Sequence, residues 1–387
     1  MLNKSHFLLQ ENVAFLNHGS FGACPIEILE EQRRWQDRLE RQPVQFFRDS
    51  PALMQHARRA LAEYIGAVAS DVVYVTNSTY GVNVAAFALA QILGEGDEIL
   101  LSDHEYGACT RTWQEHCEKR GAKLVQAQIP LPAPSAEVIV DLLWEQVTER
   151  TKVLFVSHVT SPTAVLLPIK ELCAKAKKAG IITVVDGSHA PGHIGLQLNT
   201  LGADVYTANC HKWMCTPKGS AFLWVRSDLH RLFPPFVVSW GDAIDTVGDG
   251  AFVNDHEYLG TRDISPFLSV PYAIEWMKMN NWDAVQSYGR GLARRAAELL
   301  LAIPGIMPMV PGGYQEELMM SAVLLPQNTD VLRMKNWLYN ERAIEVVVHR
   351  WLDRAILRCS AHAHTSDDDV RRLVEGVAEY VDTQLTR

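Results

Sequence analysis

The sequence predicts an α/β protein with a mainly parallel sheet covered by helices. Three observations predict it. Short apolar or β-branched runs recur along the first 225 residues, and stretches of helical periodicity lie between many of them. Several of the apolar runs lack the polar alternation of a half-exposed strand, as expected when helices cover both faces of a sheet.

In chain order the predicted strands are Val72–Val75, Glu98–Leu101, Lys123–Ala127, Val153–Val156, Ile181–Val185, Val205–Ala208 and Ala221–Val225. Tyr80–Leu93 reads as a helix because Val82, Ala85, Ala86, Leu89 and Leu93 share one face. Leu166–Ala179 reads as another, Lys-rich on its polar side and closed by Gly180. The alternation fades after about Val225. Ser227–Asp263 is rich in Gly, Pro and aromatics and reads as irregular. Pro271–Met279 and Ala284–Ile303 then read as helices, Ser321–Leu325 and Ile344–Val348 as strands, and Ser366–Thr383 as a closing helix. The expected division is a large α/β domain up to residue 265 and a smaller α/β domain over 266–387.

Composition sets the outer bounds. At roughly 150 residues per domain, 387 residues suggest two to three domains. A chain this long can bury its core without disulfide or metal staples. The net charge of -9 argues against a nucleic-acid footprint. The seven cysteines show no paired CxxC spacing and read as reduced, mostly buried thiols. The stretch MLNKSHFLLQENVAFLNHG makes a poor signal peptide. The longest apolar run, near Val84–Leu93, is too short to span a bilayer. The expectation is a cytoplasmic protein with neither a membrane nor a nucleic-acid partner.

Three strand ends carry chemistry. In IITVVDGSHAPG an apolar strand stops at Asp186 and turns. Ligands of open α/β sheets sit beyond such carboxyl ends, where a carboxylate can meet a cationic ring nitrogen; capping of the turn is the bland alternative. In DVYTANCHKWMCTPKG a strand delivers His211 and Lys212. A partly desolvated lysine titrates down and becomes a Schiff-base nucleophile, although most lone lysines are solvated surface charges. In VVYVTNSTYGV a strand runs into Asn77, Ser78 and Thr79 before a helix. Hydroxyls and free N–H groups there can cradle a phosphate, and the same residues can simply cap the helix. Phosphate cradle, carboxylate and lysine together are the set that holds pyridoxal 5'-phosphate.

With these residues in view, the chain resembles the class V aminotransferase family of pyridoxal-phosphate enzymes of fold type I, close to the isopenicillin N epimerase-like branch. The matching stretches are FLNHGSFGACP, PVQFFRD, TNSTYGVN, DHEYGAC, SHVTSPTAVLLPI, VVDGSHAPG, HKWMCTPKG, GTRDISP and LRCSAHAHTSDDDVRRL, running from Phe15 to Leu373. The resemblance implies that Lys212 forms the internal aldimine and shuttles the Cα proton, and that Asp186 pairs with the pyridine nitrogen. It implies that His189 sits near the phenolic oxygen and that Tyr106 stacks on the ring. Ser78 and Thr79 would bind phosphate, with Asn209 and His211 on the same edge. Thr261 would reach the phosphate of a neighbouring subunit, which implies a homodimer with shared active sites. Arg358 would take the substrate carboxylate in bidentate fashion. Asn17 and His18, in an N-terminal segment over residues 1–19, would line the substrate side. Relatives often show Tyr-Asn where this chain has His364-Thr365.

The implied reaction acts on an amino acid through an aldimine and a Cα carbanion: epimerisation, transamination or β-elimination, the last including C–S lyase chemistry. Tyr106, His18 and His349 are candidate second acids for epimerisation. Cysteine desulfuration is disfavoured because no Cys lies between Arg262 and Leu357. A non-catalytic binding protein on the same fold is the alternative from another class. His362, His364, Asp367, Asp368 and Asp369 resemble metal ligands, with the HxH pair on a strand. Ser366 and the acids also read as a helix N-terminus, and no metal is expected.

Overall fold

The computed structural model describes residues 2–244 and 247–385. The strands are β1 (Ala14–Phe15), β2 (Val72–Val75), β3 (Glu98–Ser102), β4 (Lys123–Ala127), β5 (Thr151–Ser157), β6 (Ile182–Asp186), β7 (Val205–Asn209), β8 (Ala221–Val225), β9 (Met307–Pro308), β10 (Met320–Leu324), β11 (Ile344–Glu345), β12 (Val347–Trp351) and β13 (Arg354–Ser360). Seven of them form one sheet in the order β2-β8-β7-β6-β5-β3-β4. The β3–β4, β3–β5, β5–β6 and β6–β7 pairs are parallel, and β8 runs antiparallel to both neighbours. The carboxyl ends of β2, β3, β5, β6 and β7 therefore share one edge.

Alternation along the strands explains their continuous apolarity. Val73, Val75, Ile99, Leu101, Val153 and Phe155 enter one hydrophobic cluster. Val72, Tyr74, Leu100, Leu154 and Val156 enter another on the opposite face. Helices cover both clusters, so neither face has reason to be polar.

The C-terminal part is less like its expectation. Its four-stranded antiparallel sheet has the order β12-β13-β10-β9. The run Ile344–Val348 is not one strand. Ile344–Glu345 pairs in parallel with Ala14–Phe15, while Val347–Trp351 pairs with Arg354–Ser360. The sequence reading missed β13 because Arg354 and Arg358 interrupt its apolar pattern; Arg358 is nonetheless buried. Residues 17–22 then pass along the carboxyl edge of the large sheet, with Asn17 bridged to Ser360. Long helices at Ile26–Arg41 and Pro43–Ile65 were also not anticipated. No helix among the described residues is long and apolar enough to cross a membrane.

Candidate active site

A pocket of about 140 Å³ opens at the carboxyl edge of the large sheet, lined by residues from five strand ends and from the segment after Asn17. Asp186 closes β6, where the backbone turns. Its Oδ1 accepts the Ser188 N–H at 2.9 Å and the Ser188 hydroxyl. Cys109 Sγ lies 3.7 Å from Oδ2. The local Asp-Gly-Ser turn thus caps itself and points a carboxylate into the pocket; capping and site-building are one geometry.

Below it lies a second carboxyl that the sequence reading did not find. Glu105 is hydrogen-bonded through Oε1 to Ser102 Oγ at 2.6 Å and through Oε2 to Ser157 Oγ at 2.5 Å. Burial first, and the nearby Asp186 charge after it, push Glu105 up to about 8. It is therefore mainly protonated at pH 7.

Lys212 follows β7 through a tight turn in which the Cys210 and His211 amides both donate to the Ser220 carbonyl. Its Nζ is 3.4 Å from His189 Nε2. Burial lowers the lysine to about 8; Asp186 opposes the shift and Arg358 adds to it. A substantial neutral fraction exists near physiological pH, as a nucleophilic amine requires. Trp213 Nε1 donates to His189 Nδ1 at 3.2 Å. That bond assigns the ring proton to Nε2, on the lysine side. Burial and the Lys212 charge hold His189 well below its usual range, so it is a neutral donor.

Ser78 begins the helix Ser78–Leu89, with Asn77 as its cap accepting from Tyr80 N at 2.8 Å. Asn209, at the end of β7, clasps this turn. Its Oδ1 accepts from Ser78 N and its amide donates to Ser78 Oγ, both at 2.9 Å. Thr79 and His211 complete this wall. The His211 Nδ1–H donates to Ser220 O at 3.0 Å, and burial, then Lys212, lower it to about 4. Tyr106 stands at the rim, 49% exposed.

Arg358 is buried behind the pocket on β13. Its guanidinium donates to the Ser161 carbonyl, to Ser161 Oγ at 3.2 Å and to Ser20 Oγ at 3.1 Å. Among the described residues no carboxylate lies within ion-pair distance of it. Burial pushes it down to about 10. A desolvated cation held only by neutral oxygens suits an incoming carboxylate. On the neighbouring strand, neither ring nitrogen of His349 has a partner, and burial with the Arg358 charge lowers it to about 4.

Thus Ser78, Thr79, Tyr106, Asp186, His189, Asn209, His211 and Lys212 converge, with Arg358 adjoining. Asn17 and His18, expected on the substrate side, do not line the pocket, and Thr261, expected at a neighbouring subunit's phosphate, lies outside it too. Asn17 donates to Glu345 Oε1 at 3.0 Å. His18 is fully buried and faces the Lys212 backbone. Thr261 is exposed, and its neighbours Gly260 and Arg262 line a different pocket. Ser20 and Phe21 occupy the wall instead. Ser188 was findable from the Asp-Gly-Ser turn; Ser20, Ser157 and Ser161 carried no local signal.

The apparent metal cluster dissolves into other roles. His362 and His364 lie in a turn beyond β13, not on a strand. Asp369 accepts from Ser366 N and Oγ at 2.9 Å, and Ser366 Oγ accepts from Asp369 N at 3.1 Å; this is a capping box. The side chains that do converge are His18, Cys215 and His362, with ligand atoms within 4.8 Å of one another. The proton on His18 Nε2, required by the carbonyl it faces, leaves that nitrogen no lone pair for a metal.

Comparison with known proteins agrees with this architecture. Residues 27–373 match the family model described as Aminotransferase class-V. The chain is 33% identical over 382 residues to isopenicillin N epimerase of Amycolatopsis lactamdurans, covering 96% of each. It is 29% identical over 370 residues to a probable chloroplastic L-cysteine desulfhydrase of Arabidopsis thaliana, covering 87% of this chain and 74% of that one. The fold matches a cysteine desulfurase from Thermococcus onnurineus with a TM-score of 0.84 at 20% identity, over 98% of this chain and 97% of that one. Sequence, sheet topology and pocket agree, and the chain belongs to the class V aminotransferase family of pyridoxal 5'-phosphate enzymes.

Proposed function

We propose that this enzyme removes and returns the Cα proton of an amino acid, as an epimerase-like member of its family. The observation that carries the reading is Lys212, buried in one pocket with Asp186 and lowered to about 8, next to Arg358, which has no carboxylate partner among the described residues.

The pocket fits the cofactor on its donors alone. The Asn77–Thr79 turn would hold the phosphate on the edge where His211 lies, Asp186 would hold the ring nitrogen protonated, and the His189 Nε2–H would face the phenolic oxygen. Bound there, pyridoxal phosphate supplies an electron sink for charge developing at Cα. Arg358 would exchange Ser161 and Ser20 for the substrate carboxylate and so orient the Cα–H bond. The neutral Lys212 amine would accept that proton on its own face. Tyr106, at the rim, is the candidate donor for the other face.

A second reading is β-elimination of a sulfur-containing amino acid. It needs Lys212 and a leaving group but no second acid. The named desulfhydrase relatives favour it. Desulfuration by an enzyme thiol is disfavoured: all seven cysteines are buried and none lines the pocket. The exposed Thr261, outside its own pocket, suits the phosphate site of a second copy, so we take the working form to be a homodimer.

The experiment is spectral and isotopic. Protein loaded with pyridoxal phosphate should be yellow and bleached by borohydride, and Lys212→Ala should not trap the cofactor. Amino acids that shift the band are then followed in deuterated water. Wash-in at Cα with an inverted centre supports the proposal. Keto acid formed with an amino acceptor supports transamination, and pyruvate with sulfide supports elimination; either sinks epimerisation.

A further inference from the structure

The residue expected on the substrate side, His18, faces the other way. Its Nε2 is 3.1 Å from the Lys212 carbonyl oxygen and its Nδ1 is 3.1 Å from His364 Nε2. A carbonyl only accepts, so His18 Nε2 must carry the proton. In a neutral ring Nδ1 is then an acceptor; the Ala23 N–H donates to it at 3.4 Å, and His364 Nε2, 3.1 Å away, must donate to it as well. That leaves His364 Nδ1 as an acceptor, 3.4 Å from the Thr365 hydroxyl. The Thr365 oxygen in turn accepts from His362 N at 3.1 Å. Every donor meets an acceptor, and only one tautomer of each of these two rings satisfies the chain. Burial keeps both rings neutral, well below their usual range.

The rest of the turn is built for contact with the same backbone. Gly22 has φ +71°, and a Cβ there would stand 2.2 Å from the His211 carbonyl oxygen and 2.7 Å from that of Lys212. Ser20, between them, holds Arg358. His364 therefore has a definite partner in this chain.

We propose that His18 is a positioning residue: its Nε2–H anchors the Lys212 carbonyl, its Nδ1 is held as an acceptor by His364 and the Ala23 N–H, and together they fix the turn from which the lysine reaches the pocket. The proposal rests on Lys212 carrying the cofactor.

Gln and Asn at this position separate the two ring nitrogens. A Gln amide reaches where Nε2 stood and can donate to the carbonyl; an Asn amide reaches only the Nδ1 position. The measurements are the dissociation constant for pyridoxal phosphate, the pH midpoint of its absorption band, and the melting temperature of the cofactor-free chain. His18→Gln should bind within about twofold of wild type. His18→Asn should bind about five- to tenfold more weakly, the worth of one lost hydrogen bond, with a displaced pH midpoint. Equal behaviour of the two variants, or wild-type behaviour of His18→Asn, overturns the proposal. His364→Phe should fall between, and a wild-type midpoint there removes His364 from the proposal. If wild-type protein is yellow and Lys212→Ala is not, the underlying reading stands whichever way these comparisons fall.

Discussion

Replacing Lys212 by methionine in the cofactor-free chain tests whether the pocket itself makes this lysine a usable amine. Burial lowers Lys212 from the ordinary 10.5 to about 8. The sign is fixed by linkage. Between those values the unfolded chain holds the proton and the folded chain does not, so stability rises with pH across that window. Below about pH 8 both states are protonated, and the folded state carries the full cost of the buried charge. At 1.36 kcal/mol per unit that cost is about 3 kcal/mol at pH 7. It falls to about 1 kcal/mol by pH 10, a change of about 2.5 kcal/mol. The figure is an upper value, because the pocket side of the lysine keeps some contact with water. Other groups titrate in the same range, so the quantity to plot is the difference between wild type and Lys212→Met. Denaturant unfolding at several pH values from 7 to 10 supplies it. Lys212→Met should be the more stable protein at pH 7, with its advantage shrinking steadily toward pH 10. A flat difference would mean that Lys212 titrates near 10.5, and the argument for a neutral amine prepared by burial would fail.

Arg358→Met should raise KM about 100-fold or more while changing kcat less, if the buried guanidinium beside the pocket takes the substrate carboxylate as proposed; steady-state kinetics with any accepted substrate decides it. Gly22→Ala should destabilise the chain by more than about 2 kcal/mol, since the residue has φ +71° and its Cβ would meet two backbone carbonyls. Thermal melting reads that loss, and retention of pyridoxal phosphate on dialysis should fall with it. Ser366→Ala should cost about 0.5–2 kcal/mol of stability through loss of the capping box, without changing the cofactor spectrum.

The large sheet was legible for a simple reason. Its strands lie between helices on both faces, so each shows an unbroken apolar run ending at a polar turn. Strand positions such as Val72–Val75 and Ala221–Val225 coincide with the sequence reading. The same endings exposed Asp186, Lys212 and Ser78, because chemistry at a carboxyl edge follows directly after the run that marks the strand. The C-terminal sheet was harder to read. Its β13 carries a buried arginine, which looks like a surface residue in a one-dimensional pattern. Its neighbour splits between two partners, one of them β1 at the far end of the chain.

The sequence by itself therefore determined the fold class and the three strand ends that meet in one pocket, since both are written in local apolar periods and the turns that end them. Only the tertiary structure decided which way His18 faces, that Ser20 and Ser161 hold Arg358, and that Glu105 is buried between Ser102 and Ser157 near Asp186. Those contacts join residues as far apart as Ser20 and Arg358, and Glu105 and Ser157. Their energetics depend on burial and on which lone pair meets which proton. Neither quantity has a period along the chain.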